Sequence, residues 1–276
     1  MCSIGTDPNF LESFFTASRL SFIGSYKQRT TATTTGLRKM GHEEGDKIAG
    51  FKRFVFHVDM DCFFASVVLR NFPEYRDKPV AISHHGKRRD EKEQEPQIQS
   101  HAVSKASTSE CATCNYKARE YGVKKGMFLG RAKQLCPDLV VLHYDFEGYE
   151  EVSEQVLEIL DRVSTLHNGA VEPVSCDEAY MELMLPENGD IAGDIAENIR
   201  RDIYDTTQCT ASIGVGANKF LAKLGTDRVK PNGSYVVKDY RTLLKDLKLR
   251  DLQCYSPSQN SNSFHSLLDF FRKSIN

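Results

Sequence analysis

Apolar side chains along this chain gather into short dense runs that alternate with stretches of helical spacing, and the order of the two predicts strands and helices in turn. Residues 53–60, RFVFHVDM, are aromatic or β-branched at most positions and read as a buried strand, with Asp61 placed to cap the helix CFFASVVLRNF that follows. KPVAIS is a second strand, ending at His84. YKAREYGVKKGM reads as a helix and its turn, and RAKQLC as a further helix before the strand LVVLHY. From about Gly148 to Ser164 a long helix places Tyr149, Val152, Val156, Ile159, Leu160 and Val163 on one face. A single strand AVEPVSCDEAYMELML, a helix in IAGDIAENIRRDIYDTT, a strand CTASIGVG and a helix ANKFLAKLGTDRV complete the series. This βαβαβ order predicts an α+β fold, a split βαβ sheet of the ferredoxin-like type covered by helices.

Three segments fall outside that rhythm. In NFLESFFTASRLSF, Phe10, Phe14 and Phe15 recur at helical spacing, so a short helix is expected to end near Ser18, Arg19 and Leu20, before the linker TTATTTG. Between Gly86 and about Ser109 the sequence is polar and charged and reads as an exposed, mobile insertion. Near the end, Phe264, Leu267, Leu268 and Phe271 share one side of a possible short helix; they either patch exposed core or belong to a tail without function.

An apolar share of 40% over 276 residues supports a real core. No apolar run approaches membrane-spanning length and the opening MCSIGTDPNF lacks a secretory layout, so a soluble intracellular protein is expected. The eight cysteines are scattered and read as reduced thiols. His101, Cys111 and Cys114 suggest part of a zinc site, but no second paired cluster follows to supply four ligands. A net charge of −2 is low for a protein that grips phosphates. The basic excess is local: Arg19, Lys27, Arg29, Arg38 and Lys39 occur without an acidic residue among them. They form either a backbone-binding arm or a solvated linker.

Asp59 ends a buried strand, and a carboxylate there needs a partner. Asp177 and Glu178 lie in a strand of similar character. Carboxylates converging at a sheet end suit Mg²⁺, although neighbours in a regular strand point to opposite faces, so Asp177 and Glu178 share a metal only where the strand is irregular. Two such ions would lower the pKa of a primer 3′-hydroxyl and hold a triphosphate. Tyr116 and Arg119 share a helix face and can offer a hydroxyl and a guanidinium fork to that triphosphate, while Lys219 lies near a helix start after GVGAN. Taken singly, each acid reads more simply as a cap or ion-pair partner, and a Tyr and Arg at this spacing are more often surface packing; it is the three acids at strand ends together that favour the metal.

With HVDMDCFFASV, YKAREYGVKKGM, AKQLCP, PVSCDEAY and SIGVGANKFLAK followed by KPNG, in that order over about residues 51 to 237, the chain closely resembles the Y family of translesion DNA polymerases. Within it, SRLSFIGSYK resembles the segment marking the eukaryotic deoxycytidyl transferase branch, which inserts dCMP opposite guanine and abasic sites. The resemblance implies that Asp59, Asp177, Glu178 and the Met60 carbonyl bind two Mg²⁺ ions. It implies Phe64 as a steric gate against ribonucleotides with Phe63 beside it, and nucleotide contacts from Asp61, Cys62, Thr113, Tyr116, Arg119, Lys125 and Lys219. It also implies Arg19 as the residue that replaces the template base, its donors matching cytosine's acceptors, and Leu20 as the wedge standing where the evicted base had been.

The same resemblance implies a division of the chain: residues 1–50 as an N-terminal extension, 51–83 as palm leading into fingers, 84–110 as a disordered insertion, 111–140 as fingers, 141–237 as palm, and 238–276 as a divergent tail with thumb and little finger absent. Expected partners are primer-template DNA, dCTP and other translesion-synthesis proteins, in the nucleus; GKRRDEK is the one basic cluster in view. Two other readings stand beside this one: a truncated, non-catalytic fragment that binds nucleotide or protein partners, and another palm-fold transferase or nucleotidyl cyclase.

Overall fold

The computed structural model describes residues 50–83, 107–187 and 191–241. The expected helix around Phe10, the Arg19–Leu20 segment, His101 and the stretch from Phe264 to Phe271 lie outside the described residues.

The larger sheet has five strands in the order β5-β6-β1-β7-β8. They are β1 (Phe51–Met60), β5 (Ala170–Pro173), β6 (Glu178–Pro186), β7 (Ala211–Gly216) and β8 (Ser234–Val236). Helices α4 (Phe146–Leu166) and α5 (Ile191–Thr207) link β1 to β5 and β6 to β7. The two βαβ units interleave, so β1 lies antiparallel between β6 and β7, which is the ferredoxin-like arrangement; β8 adds a parallel edge to β7. Strand alternation gives the sheet two distinct faces. Phe56, Val58 and Met60 enter a core shared with Tyr149, Val152 and Leu160 of α4 and Ile199 and Ile203 of α5. His57 and Asp59 point the other way, where α6 (Lys219–Val229) crosses β7.

Between β1 and α4 the chain builds a smaller unit. After α1 (Phe63–Arg70) come β2 (Val80–Ser83), β3 (Cys111–Cys114), α2 (Tyr116–Glu120), α3 (Leu129–Leu135) and β4 (Val140–Leu142), with the three strands in the order β3-β2-β4. Its core is separate and sets small side chains, among them Ala81, Cys111, Cys114 and Ala118, around Leu129 and Leu139. Asn115 fastens it: its side-chain oxygen caps α2 at Ala118 N and accepts from Val80 N, both at 3.0 Å, while its amide donates to Lys78 O at 2.8 Å. Cys111 and Cys114 are thiols buried in this core, donating to the carbonyls of Thr113 and Val123. Among the described residues no helix is long and apolar enough to cross a membrane.

The structure corrects two sequence expectations and adds two strands. AVEPVSCDEAYMELML is a hairpin and not one strand: the amides of Val174 and Ser175 both donate to Glu178 O, at 2.9 and 3.0 Å, and fold the chain back on itself. Asp61 does not cap α1, whose N-cap is Cys62 in a left-handed conformation with no side-chain cap. The Asp61 carboxylate is instead buried and accepts from Thr210 Oγ1 (2.9 Å), Ser212 Oγ (2.8 Å) and Asn232 N (2.8 Å). Strands β3 and β8 were not expected, because CATC and SYV are too short to show a period.

Candidate active site

The hairpin turn decides how the acids are placed. Asp177 lies in the bend before β6 begins at Glu178, so it escapes the strand alternation that would have set the two on opposite faces. Met60 N donates to Asp177 O at 2.9 Å and Ser175 Oγ to Asp177 Oδ1 at 2.6 Å, which ties the turn to the end of β1. Asp59 and Glu178 are cross-strand partners. Ligand atoms of His57, Asp59 and Glu178 all lie within 4.8 Å of one another, a cluster able to hold one metal ion.

Asp59 and Glu178 each meet a cation that the sequence reading did not single out. Lys230 Nζ is 2.5 Å from Asp59 Oδ1, and Lys223 Nζ is 2.5 Å from Glu178 Oε1. His57 Nε2 approaches the same Glu178 oxygen at 2.7 Å. Burial pushes the Asp59 carboxyl above its ordinary range, against the charge and hydrogen bond of Lys230 and with added repulsion from Asp177. Burial also pushes Glu178 up, but hydrogen bonds from His57 and Lys223 together with their charges outweigh it and hold that carboxyl at about 2. The donor set fits a hard divalent cation: carboxylate oxygens converge from two strands, with basic groups standing where positive charge is required.

α2 carries the predicted pair, with Tyr116 near enough to Asp61 and Asp59 to feel their charges. The Arg119 guanidinium carbon lies 4.5 Å from the centre of the Tyr116 ring, and Arg119 Nε donates to Cys114 O at 3.1 Å. Burial, with repulsion from Asp61, pushes the Tyr116 hydroxyl up to about 12 against the pull of Arg119, so it stays a donor at neutral pH. Thr113 sits in β3 opposite Ile82, and Lys125 is exposed in the turn before α3. The Phe64 ring is held by Tyr149 at 4.6 Å, Phe63 at 5.7 Å and Tyr144 at 6.1 Å, a fixed edge beside the end of β1.

The impB/mucB/samB family model matches residues 58–227, a span that contains the three acids, α2 and all of α6 except its last residues. The chain belongs to this family.

Its relatives name the architecture. The chain is 38% identical over 236 residues to the DNA repair protein REV1 of Arabidopsis thaliana, covering 84% of this chain and 19% of that protein. It is 36% identical over 267 residues to the DNA repair protein rev1 of Schizosaccharomyces pombe, covering 93% and 26%. Among solved structures, DinB from Sulfolobus solfataricus superposes with a TM-score of 0.57 at 28% identity, covering 79% of this chain and 57% of that one. The insertion ternary complex of Dbh DNA polymerase gives 0.56 at 27% identity with the same coverage. This impB/mucB/samB chain therefore carries a Y-family polymerase palm, and it spans a fifth to a quarter of the two DNA repair proteins.

Lys219 stands elsewhere than the nearby lysines suggest. It opens α6, where Asn218 caps Leu221 N at 2.9 Å, but its ammonium pairs with Glu172 Oε2 at 2.6 Å and lies over the Tyr180 ring. Lys223 and Lys230 reach the acids instead. The one sequence signal for Lys223 was its spacing, one helical turn beyond Lys219. Lys230 begins KPNG, and that loop is clamped from behind by Arg200 of α5, which donates to Ala211 O at 3.0 Å and to both oxygens of Asn232.

The depressed Glu178 carboxyl predicts an acid-labile fold. Because its folded pKa lies below the ordinary 4.5, its contribution is present above that value and is lost as pH falls from 4.5 towards about 2. Urea denaturation at pH 6 and pH 3 is expected to show roughly 2 kcal/mol more acid loss in the parent chain than in Glu178→Gln, which cannot titrate there. Equal acid loss in both would mean that His57 and Lys223 do not hold this carboxylate charged.

Proposed function

We propose that this chain is the catalytic part of a DNA-directed nucleotidyl transferase of translesion synthesis that inserts dCMP opposite guanine or an abasic site. The observation that carries the reading is the meeting of Asp59 and Glu178 at the ends of paired strands, with Asp177 and Tyr116 near enough to interact electrostatically with Asp59. Asp59, Asp177, Glu178 and the Met60 carbonyl would hold two Mg²⁺ ions, which when bound supply charge stabilisation for both the attacking and the leaving oxygen. Tyr116, Arg119 and Lys230 bind the triphosphate, with Thr113, Lys125 and Lys219 completing the fingers and α6 contacts. The backbone from Asp59 through Asp61, Cys62 and Phe63 lines the floor beneath the sugar. Phe64, braced by three aromatic rings, leaves no room for a 2′-hydroxyl.

Residues 111–140 act as fingers and 51–83 with 141–237 as palm; β2 and β4 lie at the seam, with Ala81 and Val141 in the smaller core and Val80, Ile82, Val140 and Leu142 in the larger one. Arg19 selects cytosine, because its donors match the O2 and N3 acceptors of cytosine and oppose the N3 donor of thymine, and Leu20 fills the place of the displaced template base. This part of the reading rests on the sequence and on the relation to the plant and yeast DNA repair proteins. The eukaryotic source of those relatives supports a nuclear site of action, on primer-template DNA and dCTP.

Single-nucleotide insertion with each dNTP opposite template G and an abasic site tests the specificity. The parent chain is expected to use dCTP alone, and Arg19→Ala to lose about 10- to 100-fold of that preference, the worth of one bidentate recognition. Equal use of all four nucleotides by the parent chain would refute the dCMP assignment while leaving the transferase reading in place.

A further inference from the structure

His57 is the one member of the metal-capable cluster with no exposed surface, and both of its ring nitrogens are engaged. Nε2 faces Glu178 Oε1 at 2.7 Å; a carboxylate oxygen only accepts, so Nε2 carries the proton and donates. Nδ1 meets Thr226 Oγ1 at 2.8 Å, and the same hydroxyl lies 2.9 Å from the His57 carbonyl and 3.2 Å from Ala222 O. The ring is thus clamped between β6 and α6. Tyr180, cross-strand from His57, packs on it with ring centroids 4.7 Å apart.

We propose that His57 is a positioning residue and not a metal ligand: with Thr226 behind it, it fixes the Glu178 carboxylate so that Oε1 is held by the protein and Oε2 is turned towards the cation. The proposal rests on the metal-binding reading of Glu178. A hard cation prefers the carboxylate oxygens to an imidazole whose nitrogens are already taken. Ligating carboxylates depend on such hydrogen-bonded partners, whose loss costs about 10- to 100-fold in metal affinity or activity. The same residues explain why α6 packs so closely at Thr226: Gly214, cross-strand from His57, leaves no space for a Cβ between β7 and that turn of the helix.

Mn²⁺ titration followed by electron paramagnetic resonance tests this, run on the parent chain, His57→Leu, His57→Gln, Thr226→Val and Glu178→Gln, with melting temperatures measured alongside. His57→Leu is expected to bind Mn²⁺ about 10- to 100-fold more weakly and Thr226→Val to be weakened in the same direction. His57→Gln, whose amide can still donate to Glu178, is expected to recover to within about threefold of the parent. A purely structural histidine would lower the melting temperature of His57→Leu and leave the affinity of the folded protein unchanged, and that result would overturn the proposal. So would equal weakening in His57→Leu and His57→Gln. If Glu178→Gln binds Mn²⁺ as tightly as the parent, the metal-binding reading itself falls and the proposal with it; if Glu178→Gln is weakened but all His57 and Thr226 variants bind normally, only the positioning role fails.

Discussion

Replacing Asp59 by asparagine is expected to reduce primer extension by at least ~10³-fold while changing the stability of the folded chain by no more than about 1 kcal/mol. The activity loss follows from removing a negative oxygen from a metal site, where charge stabilisation is worth several kcal/mol at the transition state. The small stability effect follows from how the acid sits in the fold. Burial and the nearby Asp177 both disfavour its charge, so the neutral amide relieves a cost that the native state bears. The loss on the other side is the Lys230 contact, but that side chain is 26% exposed and its ammonium can turn to water. Steady-state insertion kinetics and urea denaturation on the same preparation check both halves. A variant that is inactive because it is unfolded would contradict this account of the site.

Gly214→Ala is expected to cost about 3 kcal/mol, the upper part of the range for overpacking a tight contact. A Cβ at this position would lie 2.0 Å from Ala222 O and 2.3 Å from Thr226 N, and both neighbours are helix backbone that cannot rotate aside. The sheet and α6 must part, which draws Thr226 and Lys223 away from His57 and Glu178. Gly193→Ala is the matched control: its Cβ would meet only Val236 Cγ2 at 3.7 Å, an ordinary contact, and within α5 alanine is the better helix former. That variant is expected to be neutral or up to about 1 kcal/mol more stable. Thermal denaturation separates the two, with Gly214→Ala melting roughly 6–12 °C lower. Equal melting of the two would show that α6 is not seated on β7 through this glycine.

Much of this architecture was legible in the sequence because it depends on period and length. The helical face of α4 from Tyr149 to Leu160, the buried run of β1 and the i, i+3 pairing of Tyr116 with Arg119 need only local spacing, and each stands as the spacing predicts. The hairpin between β5 and β6 was missed although PVSCD carries proline, serine and aspartate, all turn formers, because the apolar stretches on either side read as one continuous run. That one omission hid the fact that Asp177 lies in a bend outside the strand; Glu178 joins His57 and Asp59 in the metal-capable cluster, while the Asp177 carboxylate accepts from Ser175 Oγ. Asp61 before an apolar helix looks like a cap; only the sheet brings Thr210, Ser212 and Asn232 across roughly 150 residues or more of chain to take its carboxylate. The partners of the acids were illegible for the same reason. Lys223 and His57 reach Glu178 from 45 and 121 residues away, so local spacing can place Lys223 on the face of Lys219 but cannot show that either residue meets Glu178.

The central claim is that these clustered acids transfer a nucleotide onto DNA with the help of a divalent metal. Single-nucleotide primer extension opposite template G, with dCTP and with or without Mg²⁺, tests it most directly when the parent chain is compared with an Asp177→Asn, Glu178→Gln double variant. The account predicts extension by the parent only when Mg²⁺ is present, and none by the folded double variant. Extension that persists in the double variant, or in the parent without a divalent metal, would contradict it.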